Sequence, residues 1–114
     1  MPQSYTRLHY HLVFSTKHRV PAIIPEIKES LWKYLGSIVK SKQGHPLQIG
    51  GTSDHVHLLV TLRQQPALAD FLRELKADSS GWVHDHFPEA HDFWWQTGYG
   101  AFTVSHSNIE TVKD

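Results

Sequence analysis

Two histidines, His55 and His57, are separated by a single β-branched residue and run into Leu58-Leu59-Val60. Such a run reads as a strand, in which successive side chains point to opposite faces. That period puts both imidazoles on one face, about 7 Å apart along the strand, with Val56 and Leu58 on the other. Imidazoles so placed can converge on one divalent metal ion. A bare His-x-His also admits a plainer reading, two polar residues on the wet face of a half-buried strand. The neighbouring segments decide between them.

The other chemistry-bearing groups are cationic. Lys17 and Arg19 fall in a basic stretch, residues 17–21, and Arg73, Lys76 and Ser80 recur at helical spacing. Both sets could meet phosphates, although an exposed helix stripe of this kind is usually just solvated. Net charge is zero, with 11 Lys+Arg against 11 Asp+Glu, so bulk charge does not announce a nucleic-acid binder. The distribution is uneven: residues 1–45 hold seven Lys/Arg against Glu26 and Glu29, leaving the remainder acidic. Ten histidines make charge and any metal binding responsive to pH near 6.5. The absence of cysteine excludes disulfides and thiolate metal sites and fits a reducing cytoplasm. No leader and no apolar run long enough to span a bilayer is present, so no membrane is expected as a partner.

At 114 residues the chain has room for one domain and one core. Residues 5–17 alternate, with Leu8, Tyr10, Leu12 and Phe14 toward a core and His9 and His11 on the reverse. Pro25 suits the first turn of a helix whose stripe is Ile27, Leu31, Tyr34, Leu35, Ile38 and Val39, with Gly44 as its C′ residue. Residues 47–51 form a short strand that turns into the His55 strand. Pro66 opens a second helix with Leu68, Phe71, Leu72, Leu75, Ser79, Trp82 and Val83 inward; Pro88 follows its end. Residues 93–96 and 101–104 read as two short strands around Gly98-Tyr99-Gly100. The order predicts an α+β, ferredoxin-like β-α-β-β-α-β sandwich: an antiparallel sheet with two helices on one face. His55 and His57 then lie on the uncovered face beside His9 and His11, open to a large substrate. Ser107-Asn108-Ile109-Glu110 is a capping box, which predicts a further helix with only Ile109 to Asp114 to fill it.

Four segments together resemble the single-tyrosine HUH transposases of small insertion sequences, including the REP-associated tyrosine transposases. They are residues 9–19, residues 51–60, residues 71–76 with Ser79-Ser80, and residues 95–105. The resemblance implies a single HUH transposase domain over residues 1–114, acting as a homodimer in a prokaryotic cytoplasm on single-stranded DNA folded into hairpins. It implies that His55 and His57 hold Mg2+ or Mn2+. A tyrosine on the C-terminal helix would attack the scissile phosphate and form a 5′-phosphotyrosine, so that cleavage and rejoining need no ATP. By alignment of Gly98-Tyr99-Gly100 and the capping box, that tyrosine and a polar third metal ligand would fall just beyond Asp114. Tyr5, Tyr10, Tyr34 and Tyr99 do not match the catalytic position. The 114 residues are therefore expected to be a domain truncated inside the helix that begins near residue 107, binding DNA and metal weakly without forming the phosphotyrosine. Lys17, Arg19, Arg73 and Lys76 are the expected DNA contacts.

Two readings compete. The histidine-triad nucleotide hydrolases are similar at His55-Val56-His57-Leu58, but Leu59 stands where they need a third histidine. The other is a non-catalytic single-stranded nucleic-acid-binding module, or a domesticated transposase remnant, with Phe93, Trp94, Trp95 and Phe102 offered for base stacking.

Overall fold

The structure, a computed structural model, describes residues 7–63, 67–98 and 100–104. Its elements are β1 (Arg7–Ser15), α1 (Pro25–Ser41), β2 (His45–Gly51), β3 (His55–Arg63), α2 (Leu68–His86) and β4 (Gly100–Val104), with a 3-10 turn at Lys17–Arg19. The strands form one antiparallel sheet in the order β2-β3-β1-β4, the ferredoxin-like arrangement that the sequence predicts. The chain's own periodicity dictates this. Leu12 and Phe14 of β1 and Val56, Leu58, Val60 and Leu62 of β3 share one buried cluster with Ile27, Leu31, Leu35 and Val39 of α1 and Phe71, Leu72, Leu75 and Val83 of α2. Both helices therefore cover the same face of the sheet. The helices also meet each other, through a Tyr34–Trp82 ring stack with centroids 4.9 Å apart and a Lys42–Glu74 ion pair.

Pro25 sits in the first turn of α1 as expected. At the other end of α1 the left-handed residue is Gln43 (φ 67°), not Gly44. Gln43 N–H donates to Lys40 C=O and Gly44 N–H to Val39 C=O, each at 2.9 Å, which is the paired pattern of a Schellman cap. Gly44 is a glycine for space. A Cβ there would stand 2.8 Å from Leu62 Cδ2 and 2.9 Å from Thr61 O, so the loop could not lie against β3.

The last stretch departs further from expectation. Residues 93–96 are not a strand; they make only an isolated bridge, Thr16 to Trp95. Lys17 N–H donates to Trp94 C=O at 2.7 Å and Gln96 N–H to Ser15 C=O at 2.8 Å. The side chains still alternate, with Phe93 fully buried, Trp94 exposed and Trp95 packed edge-on against both Phe14 and Phe93. Trp95 Nε1 donates to the buried Ser79 hydroxyl at 2.9 Å, which pins this segment to α2. The capping box at Ser107, and Tyr5 and Tyr99, lie outside the described residues.

Candidate metal and nucleic-acid site

His55 begins β3, directly after the turn from β2. Gly51 (φ 155°) makes that turn possible, since a Cβ there would lie 2.2 Å from His55 O. Thr52 N–H closes the turn by donating to His55 C=O at 2.9 Å. The turn is tied to the end of β1 by Thr16, which is 1% exposed. Thr16 N–H donates to Asp54 C=O at 2.8 Å, and its hydroxyl lies 3.1 Å from the same oxygen and 2.6 Å from Val20 O. His55 is thus held by backbone bonds on both sides before its side chain makes any contact.

Its side chain is held as well. Asp54 Oδ1 lies 3.0 Å from His55 Nδ1, 3.3 Å from Arg19 Nη2 and 3.1 Å from the Thr52 hydroxyl, itself 2.9 Å from Nδ1. These contacts, His55 first and Arg19 next, pull the Asp54 carboxyl from 3.8 down to about 2. An ionised carboxylate can only accept, so Nδ1 carries the proton and donates it. That leaves the Nε2 lone pair of a neutral His55 to act as ligand.

His57 lies on the same face as His55, as the period requires, with ring centroids 5.7 Å apart and planes 23° apart. His11 sits 5.6 Å from His57 across the strand pair. Partial burial, then the nearby His11 and His55, hold the His57 pKa below 6.5 and favour its neutral, ligating form. His9, predicted to share this face, bonds through Nδ1 to Thr61 Oγ1 at 2.9 Å. Among the described residues no group of three or more His, Asp or Glu side chains converges as a metal site. Two imidazoles, one oriented by a carboxylate, suit two positions of a divalent ion's shell.

Two grooves meet at residues 96–98. One, of about 420 Å3, is lined by His55, Arg19, Ser15 and residues 96–98. The other, of about 380 Å3, is lined by Arg73, Lys76, Ser80, Trp94 and the same residues 96–98. Residues 96–98 are the wall between them. Of the predicted DNA contacts, Arg19 therefore stands beside His55, while Arg73 and Lys76 line the second groove. Lys17 is exposed and lines neither. Lys76 differs from its expected role as part of a phosphate track. Its ammonium donates to Gln96 C=O at 2.6 Å and Gly98 C=O at 2.8 Å, and lies 5.7 Å from the Phe14 ring centroid. Burial lowers its pKa. Lys76 holds up the wall. Arg73 pairs with Asp70 at 2.8 Å on the exposed helix face, and the Ser80 hydroxyl donates to Ala77 C=O. Sequence reasoning missed Asp54, Thr52 and Gln96, whose side chain accepts from His18 N–H at 3.0 Å. Only Asp54 carried a signal, as an acid adjacent to a candidate ligand.

Comparison with known proteins now decides the family. The family model described as "Transposase IS200 like" matches residues 4–114. The chain belongs to the IS200-like transposase family. It is 28% identical over 112 residues to the ISDra2 transposase TnpA of Deinococcus radiodurans, covering 94% of this chain and 80% of that one. It is 26% identical over 111 residues to the transposase for insertion sequence element IS200 of Salmonella typhimurium, covering 92% and 72%. A solved Deinococcus radiodurans protein described as a transposase superposes with a TM-score of 0.81 at 25% identity, over 98% of this chain and 91% of that one. A REP-associated tyrosine transposase solved with a REP hairpin shares the fold, with a TM-score of 0.69 at 11% identity over 99% and 67%. This IS200-like transposase is accordingly a DNA-transposing protein with a ferredoxin-like core. Among the described residues no helix is long and apolar enough to cross a membrane.

Proposed function

We propose that this IS200-like transposase cleaves and rejoins single-stranded DNA folded into hairpins, through a 5′-phosphotyrosine intermediate. One observation carries the reading: Arg19, a phosphate-binding type of side chain, lines the same groove as His55. The hairpin in the REP-associated relative and the sequence resemblance to the single-tyrosine family supply the substrate class.

In this reading His55 and His57 hold Mg2+ or Mn2+, and Asp54 keeps His55 in its ligating tautomer. A divalent ion held there supplies Lewis-acid withdrawal of charge from the scissile phosphate. Arg19, Lys17 and Arg73 contact phosphates and so contribute affinity and salt dependence, not sequence choice. Lys76 acts indirectly, by fixing residues 96–98 between the two grooves. The attacking group is a tyrosine oxygen. Its bond to phosphorus forms as the bond to the 3′ oxygen breaks; the phosphate stays with the 5′ side and the 3′ oxygen leaves as a hydroxyl. Tyr10 packs against the core and Tyr34 stacks on Trp82, so neither is placed for this attack. By the sequence resemblance the nucleophile is a tyrosine of the family's C-terminal helix, a position that none of Tyr5, Tyr10, Tyr34 and Tyr99 matches. A homodimer is part of the proposal on the strength of the family resemblance alone.

A second reading has one observation in its favour. Trp94 is 52% exposed beside Arg73, which suits a module that only stacks bases and neutralises phosphates. A gel shift in Mg2+ separates the two, using hairpin, unstructured single strand of equal length, and duplex. Preference for the hairpin is the expected result. Equal binding to any single strand would favour the non-catalytic module.

A further inference from the structure

The geometry points to Asp54 as the positioning residue of His55, with Arg19 as the anchor of Asp54, so that a phosphate-binding side chain and a ligand imidazole share one carboxylate oxygen. The inference rests on the reading of His55 as a metal ligand and names what makes it one.

A surface histidine at a turn has two neutral tautomers and two ring orientations, and only some combinations present a lone pair to an ion. Three contacts remove that freedom here. Asp54 Oδ1 stands 3.0 Å from Nδ1, and the Thr52 hydroxyl stands 2.9 Å from Nδ1 and 3.1 Å from Oδ1. Asp54 is in turn fixed from across the turn by Arg19 Nη2 at 3.3 Å. The arrangement is local to side chains. The Asp54 backbone carbonyl is engaged separately by Thr16, so the register of β3 does not depend on the carboxylate. Arg19 remains 66% exposed while it does this, lining the groove that His55 also lines. An arginine on the groove that served only as a phosphate contact would have no need of Asp54; one that served only as an anchor would have no need to line the groove.

The test reads the tautomer of His55 in 15N-labelled, metal-free protein by long-range 1H–15N correlation, and Mn2+ affinity by electron paramagnetic resonance titration. In the wild type His55 is expected as a single tautomer protonated on Nδ1. Asp54→Ala should give a mixed tautomer and weaken Mn2+ binding by about 10–100-fold, the usual effect of losing a group that orients a ligand. Asp54→Asn keeps an acceptor oxygen and should retain the tautomer and most of the affinity. Arg19→Ala, a surface change that leaves folding intact, should weaken Mn2+ binding by a smaller factor and serves as the test if Asp54→Ala does not fold. Unchanged tautomer and unchanged Mn2+ affinity in Asp54→Ala and Arg19→Ala would overturn the proposal. His55→Ala is the control for the underlying reading. If it binds Mn2+ as the wild type does, the metal assignment fails; the positioning role is judged separately, by whether the His55 tautomer still follows Asp54.

Discussion

The two faces of β3 have been put to opposite uses within nine residues. On the helix side Val56, Leu58 and Val60 are wholly buried and Leu62 nearly so. On the other side His55 is half-buried and His57 exposed, while Leu59 and Thr61 further along the same face are buried, Thr61 against His9. The buried side gives the strand its stability and its register; the His55–His57 end of the other side inherits a fixed spacing without contributing much energy. Stability and chemistry should therefore separate cleanly under mutation.

The largest effect is expected on the buried side. Leu58→Ala should lower unfolding free energy by about 2–5 kcal/mol, read from urea denaturation, because a fully enclosed side chain leaves a cavity. Gly44→Ala attacks the same face from its rim and should cost about 1–3 kcal/mol through overpacking against Leu62 and Thr61. On the open side, His57→Ala should change stability by less than about 0.5 kcal/mol while abolishing Mn2+ binding. A large stability loss there would break the division of labour.

Acid sharpens the same contrast. His57 is held below 6.5, so the stability tied to its neutral form is complete above pH 6.5 and fades as pH falls through the lower folded value. Mn2+ binding should fade over the same window, since ligating histidines must be deprotonated. The stability contributed by Asp54 is complete above pH 3.8 and is lost as pH falls toward 2. Titrating Mn2+ affinity between pH 7.5 and 5 checks the first window, and acid unfolding checks the second. A last contrast separates the two cations of the second groove. Lys76→Met removes two bonds to carbonyls and should cost about 1–3 kcal/mol. Arg73→Ala should leave stability within about 0.5 kcal/mol and flatten the salt dependence of DNA binding by about one phosphate contact.

Periodicity made most of the fold legible. The two-residue alternation in β1 and β3 finds Leu12, Phe14, Val56 and Leu58, and the three-to-four spacing finds every buried residue of both helices, because burial acts on each element locally. Leu59 and Thr61, buried on the other face of β3, follow no such pattern. What escaped was decided by partners far along the chain. Arg19 reaches Asp54 across 35 residues and Lys76 reaches residues 96–98 from 20 away, and neither pairing leaves a local pattern. Residues 93–96 failed for a related reason. Their aromatics are fixed by Ser79 and Phe14, distant partners that leave no local pattern, and a single bridge replaces a strand ladder. Gly44 was identified as the end of a helix for conformational freedom, but the space beside Leu62 is what demands it.

The turn that carries Arg19 has a dynamic consequence. His18 and Arg19 sit consecutively in the left-handed region, at φ 56° and 57°, where each non-glycine residue costs about 1–2 kcal/mol. Against that cost stand the backbone N–H bonds of Lys17 to Trp94, His18 to Gln96, Arg19 to Thr16 and Val20 to Lys17, the Thr16 hydroxyl bond to Val20 C=O and one exposed ion pair. Such a segment is poised close to local opening. In native-state hydrogen exchange its amides should lose protection well before those of β1 and β3 on either side, which would make this turn the part of the site that can reshape itself around an incoming strand without disturbing the sheet beneath.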